Sequence, residues 1–99
     1  MYEIRFAKGV EKDLRGLPAF HRTRVIDAIE TQLMDTPMVR TRNRKPLVNM
    51  IPPWTIELPI WELRVGSYRV FYDVADTERV VYVRAVRRKR AGMTTEEIL

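Results

Sequence analysis

The periods of apolar and polar residues divide this chain into a helical first third and a strand-forming last third. Tyr2 to Ala7 alternates and is β-prone, which predicts a first strand. Gly9 follows, and Val10, Leu14 and Leu17 then recur at helical spacing, giving a short helix closed near Gly16. Pro18 suits the first turn of a second helix. Its buried stripe is Val25, Ile26, Ile29 and Leu33, with Arg22, Arg24, Asp27 and Glu30 largely on the wet side. Thr36-Pro37 stops it, and the two helices are expected to form an antiparallel hairpin.

Five prolines, Pro37, Pro46, Pro52, Pro53 and Pro59, fall between Thr36 and Ile60. A loop of that length inside a compact domain is uncommon unless it is functional or partly disordered. Thr55 to Leu58 suggests a short strand, and Trp54 either a lid or an anchor for the loop. The pattern then becomes clear. Trp61-Glu62-Leu63-Arg64-Val65 alternates strictly, Gly66-Ser67 suits a two-residue type II′ turn, and Tyr68 to Val74 is the return strand. Ala75 to Glu78 reads as a polar turn and Arg79 to Arg88 as a further strand. Thr94 and Glu97 have the spacing of a capping box and predict one terminal helical turn. The expected class is α+β: an N-terminal strand, a helix hairpin, then a three- to four-stranded antiparallel sheet, in one domain spanning residues 1–99.

A two-residue turn at Gly66-Ser67 fixes the register. Arg64 then stands opposite Arg69 and Leu63 opposite Val70. Trp61, Leu63, Val65, Tyr68, Val70 and Tyr72 share one face, which should pack on the helices. Glu62, Arg64, Arg69, Phe71 and Asp73 share the other. Carried through the second turn, Val81, Val83 and Ala85 join the first face, and Tyr82, Arg84, Val86 and Arg88 the second, with Arg84 beside Arg69. Like charges directly opposite one another destabilise a sheet, and an anion held between them relieves the repulsion. Phe71 and Tyr82 on that face are of the kind that stacks nucleic-acid bases. The plainer alternative is that Glu62 and Asp73 simply pair with the arginines.

Composition sharpens the picture. The 99 residues carry 18 Lys+Arg against 13 Asp+Glu, a net charge of +5, and no cysteine. Disulfides and thiolate metal sites are therefore excluded. The cations cluster as Arg40, Arg42, Arg44 and Lys45, and as Arg84, Arg87, Arg88, Lys89 and Arg90, with no acid from Thr36 to Ile56 or from Arg79 to Thr95. Such a surface attracts nucleic acid, an acidic membrane or an acidic protein, unless it is merely a solvated basic face. Neither a signal region nor an apolar run long enough to span a bilayer is evident, so a soluble cytoplasmic protein with no membrane partner is expected. No metal-ligand spacing and no glycine-rich phosphate loop is present, so no metal and no cofactor are expected. The lone histidine, His21, falls at the start of the second helix, away from the basic sheet.

The segments Asn43-Arg44-Lys45-Pro46-Leu47 and Trp61-Glu62-Leu63-Arg64-Val65-Gly66-Ser67-Tyr68-Arg69-Val70-Phe71-Tyr72, followed by Arg87-Arg88-Lys89-Arg90 and a Thr-Glu-Glu-Ile-Leu ending, resemble the RelE/ParE superfamily of bacterial toxins. The resemblance spans nearly the whole chain apart from Asn49 to Pro59. It implies either a metal-independent ribonuclease that cuts mRNA on the ribosome or an inhibitor of DNA gyrase. In both branches a small antitoxin neutralises the toxin. By the same resemblance, Arg69 matches an arginine that holds the scissile phosphate, and Arg64 is a further phosphate contact. Lys45 stands where one branch carries a glutamate before Pro-Leu, and the chain ends without that branch's histidine or the tyrosine of RelE proper. The catalytic set expected is Arg69, Arg64, Lys45 and Glu62. The RNA-binding set is Arg84, Arg87, Arg88, Lys89, Arg90, Arg44, Phe71 and Tyr82.

Overall fold

The alternating N-terminal segment forms strand β1 (Glu3–Phe6), and Gly9, at a φ of +98° that favours glycine, turns the chain into helix α1 (Val10–Arg15). Pro18 stands at the N-cap of helix α2 (Ala19–Leu33), where its missing N–H costs nothing. Arg22 ties the two helices together: Nε donates to the Leu14 carbonyl at 2.9 Å and Nη2 to the Leu17 carbonyl at 3.0 Å. The computed structural model describes residues 1–47 and 59–99. The strand expected at Thr55–Leu58 and the setting of Trp54 lie outside those residues.

Strand β2 (Arg44–Pro46) arises inside the proline-rich segment, at a position where the sequence suggests only loop. It is followed by β3 (Trp61–Val65), β4 (Tyr68–Ala75), β5 (Val80–Arg88) and the terminal helix α3 (Thr95–Ile98). The strands form one five-stranded sheet in the order β1-β5-β4-β3-β2. All neighbours are antiparallel except β1, which lies parallel to β5. The sheet therefore gains strands on both sides of the meander that the alternation specifies.

The turn at Gly66-Ser67 is as expected. Gly66 has φ +58° while Ser67 does not adopt a positive φ, the pattern of a type II′ turn. A side chain at position 66 would meet the Arg24 guanidinium 3.2 Å away as well. The register follows: Val65 faces Tyr68, Arg64 faces Arg69 and Leu63 faces Val70. The apolar face packs on Val10, Val25, Ile29 and Leu33 of the helices, all fully buried with Leu63, Val70, Tyr72, Val81 and Val83. Each such side chain contributes roughly 1.5–3 kcal/mol on burial, which fixes the face strongly.

The register of β5 departs from expectation after Val83. Tyr72 pairs with Val83 but Phe71 pairs with Ala85, so Arg84 is an extra residue in a β-bulge. One inserted residue reverses the parity of everything beyond it. Ala85 lies on the face away from the helices, and Val86 joins the helix-side core. Arg88 stands opposite Tyr68 and Arg87 opposite Arg69. The guanidinium expected beside Arg69 thus comes from Arg87, not Arg84. Arg84 closes on the fully buried Asp73, with Nε 2.5 Å from Oδ2 and Nη2 3.2 Å from Oδ1.

The second face carries its own small apolar cluster: Leu47, Ile60, Phe71, Ala85 and Ile98. Thr94 and Glu97 form the expected capping box, which orders the short α3 over this patch. The cluster divides the polar groups of that face into two ends. Tyr82, Arg84 and Asp73 lie at one end, and Arg64, Arg69 and Arg87 at the other.

Candidate phosphate-binding site

The cationic end is built from three adjacent strand positions and one loop. Arg64 on β3 faces Arg69 on β4, which faces Arg87 on β5. Glu62, two residues before Arg64, lies on the same face opposite Lys45 of β2. Arg42, Asn43, Lys45, Glu62 and Arg64 together line a cleft of about 130 Å³. The loop that supplies Arg42 and Asn43 is tied to β3 through the Arg64 N–H, which donates to the Asn43 carbonyl at 2.8 Å.

The arginines are not equivalent. Arg69 is only 7% exposed, and its Nη1 donates to the carbonyls of Gly66 and Tyr68 at 2.8 and 2.9 Å. Its Nε lies 3.0 Å from Glu62 Oε1, yet the N–H direction does not make a hydrogen bond. Burial, and then the neighbouring Arg64 charge, push the Arg69 pKa down, while Glu62 opposes them. Arg64 is exposed and makes no ion pair among the described residues. Arg87 reaches over the β5 edge beyond the end of β1, where its Nη1 binds Asp13 Oδ2 of α1 at 2.6 Å. The same Asp13 oxygen accepts from the Val86 N–H at 3.1 Å.

Several residues expected in an RNA-binding set have other employment. Phe71 is fully buried in the second apolar cluster and presents no face for stacking. Tyr82 lies beyond that cluster, with the Arg84 guanidinium 4.7 Å from its ring centre. Arg44 points to the helix side, because its register partner Leu63 belongs to that core. Its Nη1 donates to the Gln32 and Thr36 carbonyls at 2.5 and 2.6 Å, capping the C-terminus of α2 where a cation is favoured. Arg88 is exposed on the helix-side parity, Arg90 is exposed, and the Lys89 N–H donates to the Ser67 carbonyl at 2.7 Å. His21, placed away from the basic sheet by the sequence, hydrogen-bonds Tyr68 through Nδ1 at 2.7 Å.

Arg42 and Asn43 are absent from the set that the sequence picks out. Their signal was the charge cluster around Arg40 to Lys45, but without β2 there was no register to bring that cluster to Glu62. Among the described residues no group of three or more His, Cys, Asp or Glu side chains could hold a metal ion. No helix among them is long and apolar enough to cross a membrane.

Fold and site define a small α+β protein whose sheet ends in a cation-lined cleft. The chain belongs to the family of ParE toxins of type II toxin–antitoxin systems, which residues 4–92 match. No curated protein matches it significantly. Among solved structures, the RelBE2 toxin–antitoxin complex of Mycobacterium tuberculosis is similar, at 28% identity and a TM-score of 0.68 over 90% of this chain and 98% of that one. The archaeal RelE–RelB complex of Pyrococcus horikoshii gives 26% identity and a TM-score of 0.70, covering 93% of this chain and 98% of that one. The isolated Escherichia coli RelE toxin, at 18% identity, shares the fold with a TM-score of 0.69 over 98% of this chain and 94% of that one. This protein is a toxin of the RelE/ParE superfamily with a RelE-like fold.

Proposed function

We propose that the toxin is a metal-independent endoribonuclease that cuts mRNA with the ribosome and holds the scissile phosphate at the cationic end of the sheet. The observation that carries this reading is Arg64, without an ion pair among the described residues, in a row with Arg69 and Arg87 and beside a cleft that also presents Lys45. Cleavage by attack of a ribose 2′-oxygen on the adjacent phosphorus, with departure of the 5′-oxygen, needs alignment and neutralisation of the phosphate charge. Arg64 and Lys45 supply mobile charge, and Arg69 supplies a fixed, partly desolvated one. Lys89 and Arg90 extend the positive surface along the RNA. Acting on mRNA, the toxin works in the cytoplasm.

Primer extension on cellular mRNA after induction is the test. New 5′ ends are expected, and Arg64→Ala or Arg69→Ala should suppress them. Intact transcripts in growth-arrested cells sink the reading. Each arginine that forms a charge-assisted hydrogen bond to phosphate is worth about 1.5–3 kcal/mol of binding.

Inhibition of DNA gyrase is the second reading. The match to ParE toxins favours it, as does the engagement of Glu62 with Arg69, which removes an evident general base. Normal supercoiling by purified gyrase with excess toxin eliminates it. Under either reading the partner in the cell is a cognate antitoxin, as in the RelBE complexes that this fold matches. An acidic antitoxin segment complements the cationic end, and co-purification of an antitoxin with the toxin expressed from its native locus is the direct check.

A further inference from the structure

Strand β1 is the outer strand on the side of the sheet opposite β2 and the cationic cleft. Its pairing with β5 uses only alternate residues. The Glu3 N–H donates to the Arg79 carbonyl at 2.9 Å and the Ala7 N–H to the Val83 carbonyl at 2.8 Å. Parallel pairing in that phase turns the backbone groups of Ile4 and Phe6 outward. Among the described residues no hydrogen bond outside the β5 ladder reaches them. Beside this open edge, between β1 and α2, lies a groove of about 600 Å³ lined by Met1, Ile4, Phe6 and Met34 and by the Glu30 carboxylate. Phe6 itself is 48% exposed. An unpaired edge beside exposed apolar side chains is a template for a further strand.

The charges on β1 select that strand. Edge lysines of one sign repel a second copy of the same edge. Strand β1 instead carries Glu3 and Arg5, which ion-pair with each other on the face that bears Tyr82. Antiparallel pairing of two such edges sets outward residues against outward residues: Ile4 against Phe6, Phe6 against Phe6, or Ile4 against Ile4. The first of these puts Arg5 opposite Arg5, a like-charge pair that destabilises the ladder. The second puts Arg5 opposite Ala7 and leaves Glu3 unmatched. The third puts Glu3 opposite Arg5 on both sides of the two-fold axis.

We propose that β1 pairs antiparallel with β1 of a second copy of this chain, Ile4 opposite Ile4, in a two-fold dimer whose sheet runs through both subunits. Glu3 then faces Arg5 of the partner subunit, and Arg5 faces Glu3 of the partner subunit. The two in-strand ion pairs join into one ring of alternating charge. The two Ile4 residues exchange their backbone hydrogen bonds, and the Phe6 N–H reaches the carbonyl of the partner subunit's Tyr2. The ladder stops at Tyr2, whose N–H is already given to the Met34 carbonyl at 2.7 Å. Phe6 of the partner subunit has the helix-side parity and enters the groove beside Ile4 and Met34. A contact this short lies at the small end of specific interfaces, so the dimer is weak and reversible. It leaves both cationic clefts open at the far side of each sheet, and the inference stands apart from the ribonuclease reading.

The test is sedimentation equilibrium of the full-length toxin without antitoxin, from micromolar to near-millimolar concentration. A reversible doubling of mass is expected as the concentration rises. Glu3→Arg alone, or Arg5→Glu alone, sets like charges opposite on both sides of the axis and should weaken the dimer about tenfold. Mixing these two variants in equal amounts should restore it. The double exchange, Glu3→Arg with Arg5→Glu, should restore it within one chain. Both positions are exposed, so the variants keep the fold.

The chain has no cysteine, so crosslinking supplies an independent measurement of register. Residues opposed at a non-hydrogen-bonded position lie within disulfide reach. A mixture of Glu3→Cys and Arg5→Cys proteins should therefore oxidise to the mixed dimer in preference to either homodimer. A toxin that stays monomeric throughout, a dimer indifferent to both charge reversals, or Arg5→Cys crosslinking chiefly to itself overturns the proposal. So does hydrogen-exchange protection of the Ile4 and Phe6 amides that arises only when an antitoxin is added, which gives the edge to that partner instead.

Discussion

Glu62 Oε1 lies 3.0 Å from Arg69 Nε, with both side chains almost wholly withdrawn from water. Removing one partner of a buried pair leaves an uncompensated charge and costs about 3–5 kcal/mol. Arg69 keeps two carbonyl acceptors whatever happens at position 62. Glu62→Ala is therefore expected at the lower end of that range and Arg69→Ala at the upper end, where it strands a carboxylate with no other partner among the described residues. Urea unfolding of both variants checks the order, and equal losses contradict it.

Asp73 and Arg84 make the other deep ion pair, and it sits at the β5 bulge. Asp73→Asn should destabilise the protein by about 3 kcal/mol or more, since the fully buried site was built around a charge. The more telling readout is register. Releasing Arg84 should loosen the pairing beyond Val83, so amide exchange should speed up at Ala85 and Arg87 while β3 stays protected. Uniform protection in the variant counts against a locking role.

Arg44 is predicted to be a stability residue. Arg44→Ala removes its bonds to the Gln32 and Thr36 carbonyls and should cost about 3 kcal/mol or more, at about 1.5–3 kcal/mol for each bond from a charged donor. Arg44→Lys should recover only part of this, because both carbonyls are bound by Nη1 and the lysine nitrogen ends one bond short of that position. Thermal unfolding measures both. Activity per folded molecule should fall with Arg44→Ala only as far as the braced 41–45 turn relaxes.

Tyr72 gives a pH dependence. Its hydroxyl is buried, donates to the Pro37 carbonyl at 2.6 Å, and burial raises its pKa well above the usual 10, with Arg44 opposing. A raised folded pKa means that its stabilising contribution is complete below about pH 10 and is lost as the pH climbs from there towards the folded value. The loss is about 1.36 kcal/mol per pH unit while the unfolded phenol ionises and the folded one does not. Tyr72→Phe should be less stable at pH 8 but should lose less stability between pH 9.5 and 11. Parallel melting curves for the two proteins contradict this.

Period and turn chemistry made much of this molecule legible. Alternation from Trp61 to Val74, punctuated by Gly66-Ser67, specified two strands, their pairing and the residues opposite one another, because a two-residue turn leaves a single register. The stripe at Val25, Ile29 and Leu33 specified the inward face of α2. These are local properties, written within a dozen residues. The charge clusters and the motif around Arg64 and Arg69 pointed to an anion-binding toxin for the same reason.

Tertiary structure decided the rest. Nothing in Val83-Arg84-Ala85 announces a bulge, since Arg84 suits an exposed strand position. At the bulge Asp73, on the neighbouring strand, holds the Arg84 guanidinium, and that one inserted residue exchanges Arg84 for Arg87 beside Arg69. Phe71 has the parity of a stacking residue, yet Leu47, Ile60 and Ile98, distant in sequence, pack with it into a second core. Arg44 and Lys45 look alike as cations. Pairing of β2 with β3 sends the first to the end of α2 and the second to Glu62. The sequence by itself determined the charge and every described element but β2. The fold determined which charges remain free, because that depends on partners brought together from the far ends of the chain.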